Sequence, residues 1–153
     1  MTIKEYKRFP EEALTIRKKV FVEEQGFIDE FDEIDKISKH LLVYKEDKAI
    51  ATCRIFYDKE KQSYMVGRLA VLKEYRGKNI GSKVLKAAED IVRRDGGESI
   101  MLSSQEGVIS FYEKQGYVKE GDSFLDEGCP HIWVRKKISW FYCNNAQIKL
   151  LKA

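Results

Sequence analysis

The sequence predicts an α+β fold in which helices pack against a mostly antiparallel sheet. Three observations predict it. Short apolar segments separated by turn residues at regular spacing run from His40 to Val71, the pattern of neighbouring antiparallel strands. A long amphipathic segment then follows a glycine-containing loop. Further strand and helix patterns alternate after it, so the full order reads β-α-β-β-β-α-β-α-β-β.

Each element has its own warrant. Ile3 to Phe9 reads as a first strand. Pro10 suits the first turn of a helix, where a missing N–H costs nothing. Glu11 and Glu12 favour the positive helix start. Ala13, Ile16, Val20 and Phe21 then recur at helical spacing to about Gln25, and Gly26 ends the run. Residues 27–39 read as an acidic loop. His40 to Lys45, Ala49 to Tyr57 and Ser63 to Val71 read as three strands. The segment from about Asn79 to Arg94 is the clearest helix: Ile80, Val84, Ala88, Ile91 and Val92 line one face, opposite Lys83, Lys86, Asp90 and Arg94. Ser99 to Ser103 predicts a strand, Val108 to Gln115 a short helix closed by Gly116, and Tyr117 to Glu120 and Ile132 to Ile138 the last two strands. Residues 121–131 read as the loop between them.

The bulk numbers exclude several classes. A chain of 153 residues reads as one domain, long enough to bury a core without disulfides or metal. Its net charge of +3 is small and evenly spread, which gives no footprint for nucleic acid. No stretch approaches the ~20 apolar residues of a membrane span. Residues 1–9 lack the apolar centre of a signal peptide. The three cysteines, Cys53, Cys129 and Cys143, form no CxxC pair. The expected compartment is therefore the reducing cytoplasm.

The chemistry concentrates in Arg76-Gly77-Lys78-Asn79-Ile80-Gly81-Ser82, between a strand and the long helix. Two glycines permit close backbone approach. The free N–H groups of the helix start favour an anion, and Arg76, Lys78 and Lys83 add positive charge. This is what a pyrophosphate requires. A P-loop fits worse, because Gly77 and Gly81 are one residue too close and Ser82-Lys83 is in the wrong order. The dinucleotide pattern Gly-x-Gly-x-x-Gly is absent. The plainer alternative is a tight strand-to-helix turn.

Val66-Gly67-Arg68-Leu69-Ala70-Val71 followed by Tyr75-Arg76-Gly77-Lys78-Asn79-Ile80-Gly81 resembles the acyl-CoA motif of the GNAT acetyltransferase superfamily. Asn79 stands where that motif has its first glycine; asparagine tolerates unusual backbone angles well. Phe111-Tyr112-Glu113-Lys114-Gln115-Gly116-Tyr117 resembles a second block of the family, and Gln105 lies where many members carry Asn. Arg17 to Gln25, the acidic loop, His40, and Asp126 to His131 together resemble a subgroup of small bacterial GNAT proteins. The likeness spans roughly residues 3–138, implying one acetyltransferase-like domain over 1–138 and a C-terminal extension over 139–153. It also implies a mixed, mostly antiparallel central sheet with helices on both faces.

The resemblance carries a mechanism with it. Backbone groups of Leu69, Ala70 and Val71 would hold the pantetheine arm of acetyl-CoA, the cosubstrate, and Val71 N–H would face the thioester carbonyl. Arg76, Gly77, Lys78, Asn79, Ile80, Gly81 and Ser82 would hold the pyrophosphate, with Gln105 nearby. An amine acceptor, small or peptidic, would attack the thioester directly. Tyr112 would protonate the departing thiolate, since a phenol of pKa about 10 is matched to a thiol of about 8.5. The attacking amine must lose a proton. Candidate bases are Glu23, Glu24, His40 and His131, with His40 and Glu24 placed in the expected catalytic set beside Tyr112; a water chain is an equal alternative. Tyr112 has a plainer reading as an interior tyrosine, and each histidine as a structural one. The alternatives to an N-acetyltransferase are a non-catalytic acyl-CoA-binding protein and a related acyl-CoA-dependent signal synthase.

The remaining features read as structural. The run Asp29 to Asp35 reads as a solvated loop, although it could attract a cationic acceptor. It lacks the Gly and Glu spacing of an EF-hand. Cys129 has no adjacent base and reads as packing. No His/Cys cluster has metal-ligand spacing. Trp140-Phe141-Tyr142 is apolar for a free end; it could pack on the domain, extend an edge strand or contact a second copy in a homodimer.

Overall fold

The computed structural model describes residues 1–28 and 30–138; the extension expected over 139–153 lies outside the described residues. Seven strands form one sheet: β1 (Thr2–Tyr6), β2 (Lys39–Lys45), β3 (Lys48–Asp58), β4 (Ser63–Val71), β5 (Ser99–Gln105), β6 (Val118–Asp126) and β7 (Cys129–Lys137). Their spatial order is β1-β2-β3-β4-β5-β7-β6, and only the β4·β5 pair is parallel. Helices are α1 (Glu11–Arg17), α2 (Ile34–Ile37), α3 (Ile80–Arg94) and α4 (Ile109–Lys114). This is the mixed α+β architecture expected.

Two apolar clusters flank the sheet, and the alternation of β2 shows why. Leu41 and Val43 join the cluster beneath α3, with Val84, Leu85, Ala88, Leu102 and Val134. Leu42, between them, joins the opposite cluster with Ala13, Ile16 and Val20 of the first helix. The middle of the sheet is thus buried on both faces.

Four local expectations need correction. The first strand stops at Tyr6 rather than Phe9, and the Phe9 ring turns inward to stack on His40. The first helical segment runs to Glu24, close to the expected end, but its turns over Lys18–Glu24 are π-helical. The acidic segment contains the single turn α2. The stretch 121–131 is a hairpin, because β6 and β7 are separated only by Glu127 and Gly128, both at positive φ (48° and 75°). Such a turn matches the strand twist. Glutamate is an unusual first residue for it, and β6 is exposed along most of its length, so the sequence carries only Gly128 as a turn signal and no alternating pattern there.

Candidate active site

The site begins where β4 and β5 separate. Their parallel pairing is confined to Tyr64↔Ile100 and Met65↔Met101. Just beyond, β4 carries a bulge: Arg68 and Leu69 both fall between the pairs Thr52↔Ala70 and Arg54↔Gly67, opposite Cys53 alone. Arg68 takes φ 53° to make it. A bulge bends its strand, and the two strands part into a fork. The cleft in this fork has a volume of about 890 Å³ and is lined by Leu69, Ala70 and Val71 on one wall and Leu102, Ser103 and Gln105 on the other.

One end of the cleft meets the start of α3. Gly77, Asn79, Ile80, Gly81 and Ser82 line it there. Asn79 adopts the left-handed conformation (φ 61°, ψ 19°) and its side chain does not cap the helix. The first backbone bond into the helix runs from Lys83 N–H to Asn79 O, at 3.2 Å. The N–H groups of Ile80, Gly81 and Ser82 precede it and are the open donors of a helix start. Gly81 lets the Phe111 ring sit against this end; a Cβ there would lie 3.4 Å from Phe111 Cζ. These donors, the missing Cβ and the helix dipole fit a diphosphate. Arg76 also lines the cleft, but its guanidinium is engaged, donating from Nε to Val71 O at 2.9 Å and from both terminal nitrogens to Glu24 at 2.9 Å. Lys78 is not part of the lining and sits over the Tyr75 ring, 5.9 Å from its centroid.

Tyr112 lines the cleft, held edge-on between Phe111 and Tyr117. Burial raises its pKa well above that of a free phenol, so its proton stays in place at every physiological pH. Its hydroxyl has no hydrogen-bond partner among the described residues.

The expected bases divide. His40 is 1 % exposed, stacked on Phe9 at 4.7 Å, and Nε2 donates to the Asp35 carbonyl at 3.0 Å. It is outside the cleft lining, because β2 is separated from the fork by β3 and β4. Glu24 lies outside it too, held by Arg76. His131 does line the cleft. Its Nδ1 is 2.7 Å from the Cys129 carbonyl; a carbonyl only accepts, so Nδ1 donates, and in the neutral tautomer this contact selects, the lone pair is on Nε2. Gln105 joins Gln25 across the cleft, Nε2 donating to Oε1 at 2.8 Å.

The acidic segment is not a solvated loop. Glu30 and Asp35 are 3 % and 4 % exposed. Arg17, itself buried, reaches Glu30 at 2.7 Å and Asp35 at 2.6 Å. Arg54 reaches Asp32 at 2.6 Å and Asp35 at 3.0 Å, and Arg68 reaches Glu30 at 3.0 Å. Burial alone would raise the Asp35 pKa, but the hydrogen bonds and charges of Arg17 and Arg54 outweigh it and hold it below the ordinary value. The network ties the first helix to the β4 bulge, so Arg68 and Glu30 both line the cleft. Reading the sequence did not find it, because its three arginines lie on three separate elements. Among the described residues no group of three His, Cys, Asp or Glu could hold a metal ion, and no helix is long and apolar enough to cross a membrane.

The β4/β5 fork thus opens onto the start of α3, and comparison with known proteins identifies the family. The sequence model of the acetyltransferase (GNAT) domain family matches residues 8–138; the chain belongs to the GNAT acetyltransferase family and is an acyltransferase. Bacillus subtilis YyaT, an uncharacterized protein, is 36 % identical over 135 residues, covering 84 % of this chain and 88 % of its own. The uncharacterized N-acetyltransferase YjcF of the same organism is 33 % identical over 129 residues, covering 82 % and 90 %. The crystal structure of Escherichia coli ElaA superposes with a TM-score of 0.75 at 23 % identity, covering 88 % of this chain and 99 % of that one. An aminoglycoside 6'-N-acetyltransferase complexed with coenzyme A superposes with a TM-score of 0.72 at 18 % identity, covering 91 % and 98 %; at that identity the likeness is one of fold.

Proposed function

We propose that this protein transfers the acetyl group of acetyl-CoA to a primary amine in the cytoplasm, by direct attack. The observation that carries the reading is that the β4/β5 fork, the open start of α3 and Tyr112 all belong to one cleft. The backbone of Leu69 to Val71 is left without β5 partners beyond Met65, and is available to the pantetheine amides. The N–H groups of Ile80, Gly81 and Ser82 hold the diphosphate. An N–H from the β4 wall, that of Val71, faces the thioester oxygen as charge develops on it; removing such a donor costs about 10²–10³ in rate.

In the reaction the amine nitrogen attacks the thioester carbon, the carbon–sulfur bond breaks, and the amide forms. His131 Nε2 takes the proton lost by the amine. Tyr112 gives its proton to the departing sulfur, so free CoA leaves as the thiol and the phenol is restored from solvent. A placed general acid contributes roughly 10²–10⁴-fold.

Calorimetric titration of acetyl-CoA and of free CoA tests the cosubstrate. The wild type binds both; Gly81→Glu binds neither, because the new carboxylate lies among the diphosphate donors and against Phe111. A folded wild type that binds neither ligand ends the acyl-transfer reading.

A further inference from the structure

Three buried side-chain atoms among the described residues have no hydrogen-bond partner: Arg54 Nε, Arg93 Nε and Ser103 Oγ. Of the three residues, only Ser103 lines the cleft. A buried hydroxyl without a partner lowers stability, and such a group in a native fold calls for a reason. Every other serine hydroxyl on β5 is engaged: Ser99 with Ser63 at 2.8 Å, and Ser104 with the Gln105 carbonyl at 2.8 Å.

The parity of β5 shows which substrate it serves. Leu102 and its partner Val134 belong to the cluster beneath α3. Successive strand residues point to opposite faces, so Ser103 points away from α3, and Gln105, two residues on, shares its face. His131 pairs with Gln105 across β5 and β7, and opposed residues share a face as well. Ser103, Gln105 and His131 therefore lie together on the side of the sheet away from the diphosphate donors, where the hydroxyl of one faces the same space as the imidazole of the other.

We propose that Ser103 is an acceptor-binding residue: its Oγ accepts a hydrogen bond from one N–H of the attacking amine while the second N–H faces His131. The lone pair of the amine is thereby turned toward the thioester carbon. The two hydrogen bonds together recognise a neutral primary amine, and a secondary amine offers only one of the two hydrogens. This rests on the acyl-transfer reading above.

The test compares wild type, Ser103→Ala and Ser103→Thr. Three measurements are needed: calorimetric affinity for acetyl-CoA, melting temperature, and release of CoA thiol with hydroxylamine, spermidine and tyramine as amines. Ser103→Ala is expected to bind acetyl-CoA within about twofold of wild type. It should melt at the same temperature or higher, since the lost hydroxyl had no partner. Its kcat/KM for the amine should fall about tenfold or more, the scale of one hydrogen bond made in the transition state. Ser103→Thr, which keeps the hydroxyl, should recover part of that loss. Equal turnover by Ser103→Ala and wild type overturns the assignment. So does a drop in melting temperature of several degrees, which marks a structural hydroxyl, or a large loss of acetyl-CoA affinity, which marks a cosubstrate contact. A wild type that binds acetyl-CoA but acetylates no amine sinks the reading beneath it instead.

Discussion

Glu24 and Arg76 face each other as a fork on a fork, each guanidinium terminal nitrogen 2.9 Å from a different carboxylate oxygen. The pair joins the end of the π-helical turn to the loop before α3, while Arg76 Nε holds the Val71 carbonyl. On the proposed function, Glu24 is a positioning residue for the loop before α3. Both side chains are partly exposed, at 33 % and 42 %, so the pair contributes at most about 1 kcal/mol. Glu24→Gln should keep kcat within about threefold, far from the roughly 10²-fold loss of a missing general base. Its effect should fall on the KM for acetyl-CoA. Steady-state kinetics at two salt concentrations checks this, and a collapse of kcat would restore Glu24 to the catalytic set.

Arg17 is the centre of the buried ion network, with carboxylates of Glu30 and Asp35 at 2.7 and 2.6 Å and the rings of Phe9 and Phe31 about its guanidinium. Removing one partner of a buried pair leaves an uncompensated charge, at a cost of about 3–5 kcal/mol. Arg17→Met should lower the unfolding free energy by that amount, read as a fall in the denaturant midpoint at unchanged slope. Because the network anchors the segment carrying Glu30 to the bulge at Arg68, the surviving folded fraction should also show a raised KM for the amine.

His40 sets part of the acid limit of stability. Burial lowers its pKa below the ordinary 6.5, so the unfolded chain binds more protons between the two values and stability rises with pH. That contribution is fully present above 6.5 and is lost as pH falls through the depressed value. Asp35, depressed below 3.8 by Arg17 and Arg54 against its burial, adds a second loss at lower pH. Melting temperature measured from pH 8 to pH 4 should fall in the wild type, and His40→Gln should flatten the upper part of that fall. Activity per folded molecule should be unchanged by His40→Gln, since the side chain is outside the cleft.

Tyr112→Phe removes a hydroxyl with no hydrogen-bond partner among the described residues. Acetyl-CoA affinity and melting temperature should therefore stay near wild type, while kcat falls about 10²–10⁴-fold. Rates with a thioester whose leaving thiol is more acidic should recover most of the loss. A variant as active as wild type would return Tyr112 to the role of an interior packing residue.

The elements legible in the sequence are those whose signal is local. The period of the apolar residues in α3 marks its length and buried face, and the glycines before it mark the tight entry to the helix. The fork in β4 is different. Nothing in residues 63–71 announces that β5 pairs with only two of them, because a strand's partners are set by the sheet order rather than by its own alternation.

By itself, then, the sequence determined the sheet-and-helix order and singled out the loop before α3 and Tyr112 as candidates. The physical reason is that periodicity, capping and turn preferences act within a few residues. Only the tertiary structure puts the two histidines in different places, His131 in the cleft lining and His40 outside it. His40 and His131 both open strands, but β2 packs under Phe9 two strands from the fork, whereas β7 adjoins β5 at its edge. Likewise the acidic segment became buried only because Arg17, Arg54 and Arg68 converge on it from three elements. The orphaned hydroxyl of Ser103 is of the same kind, since a missing partner shows only when all the neighbours are in place.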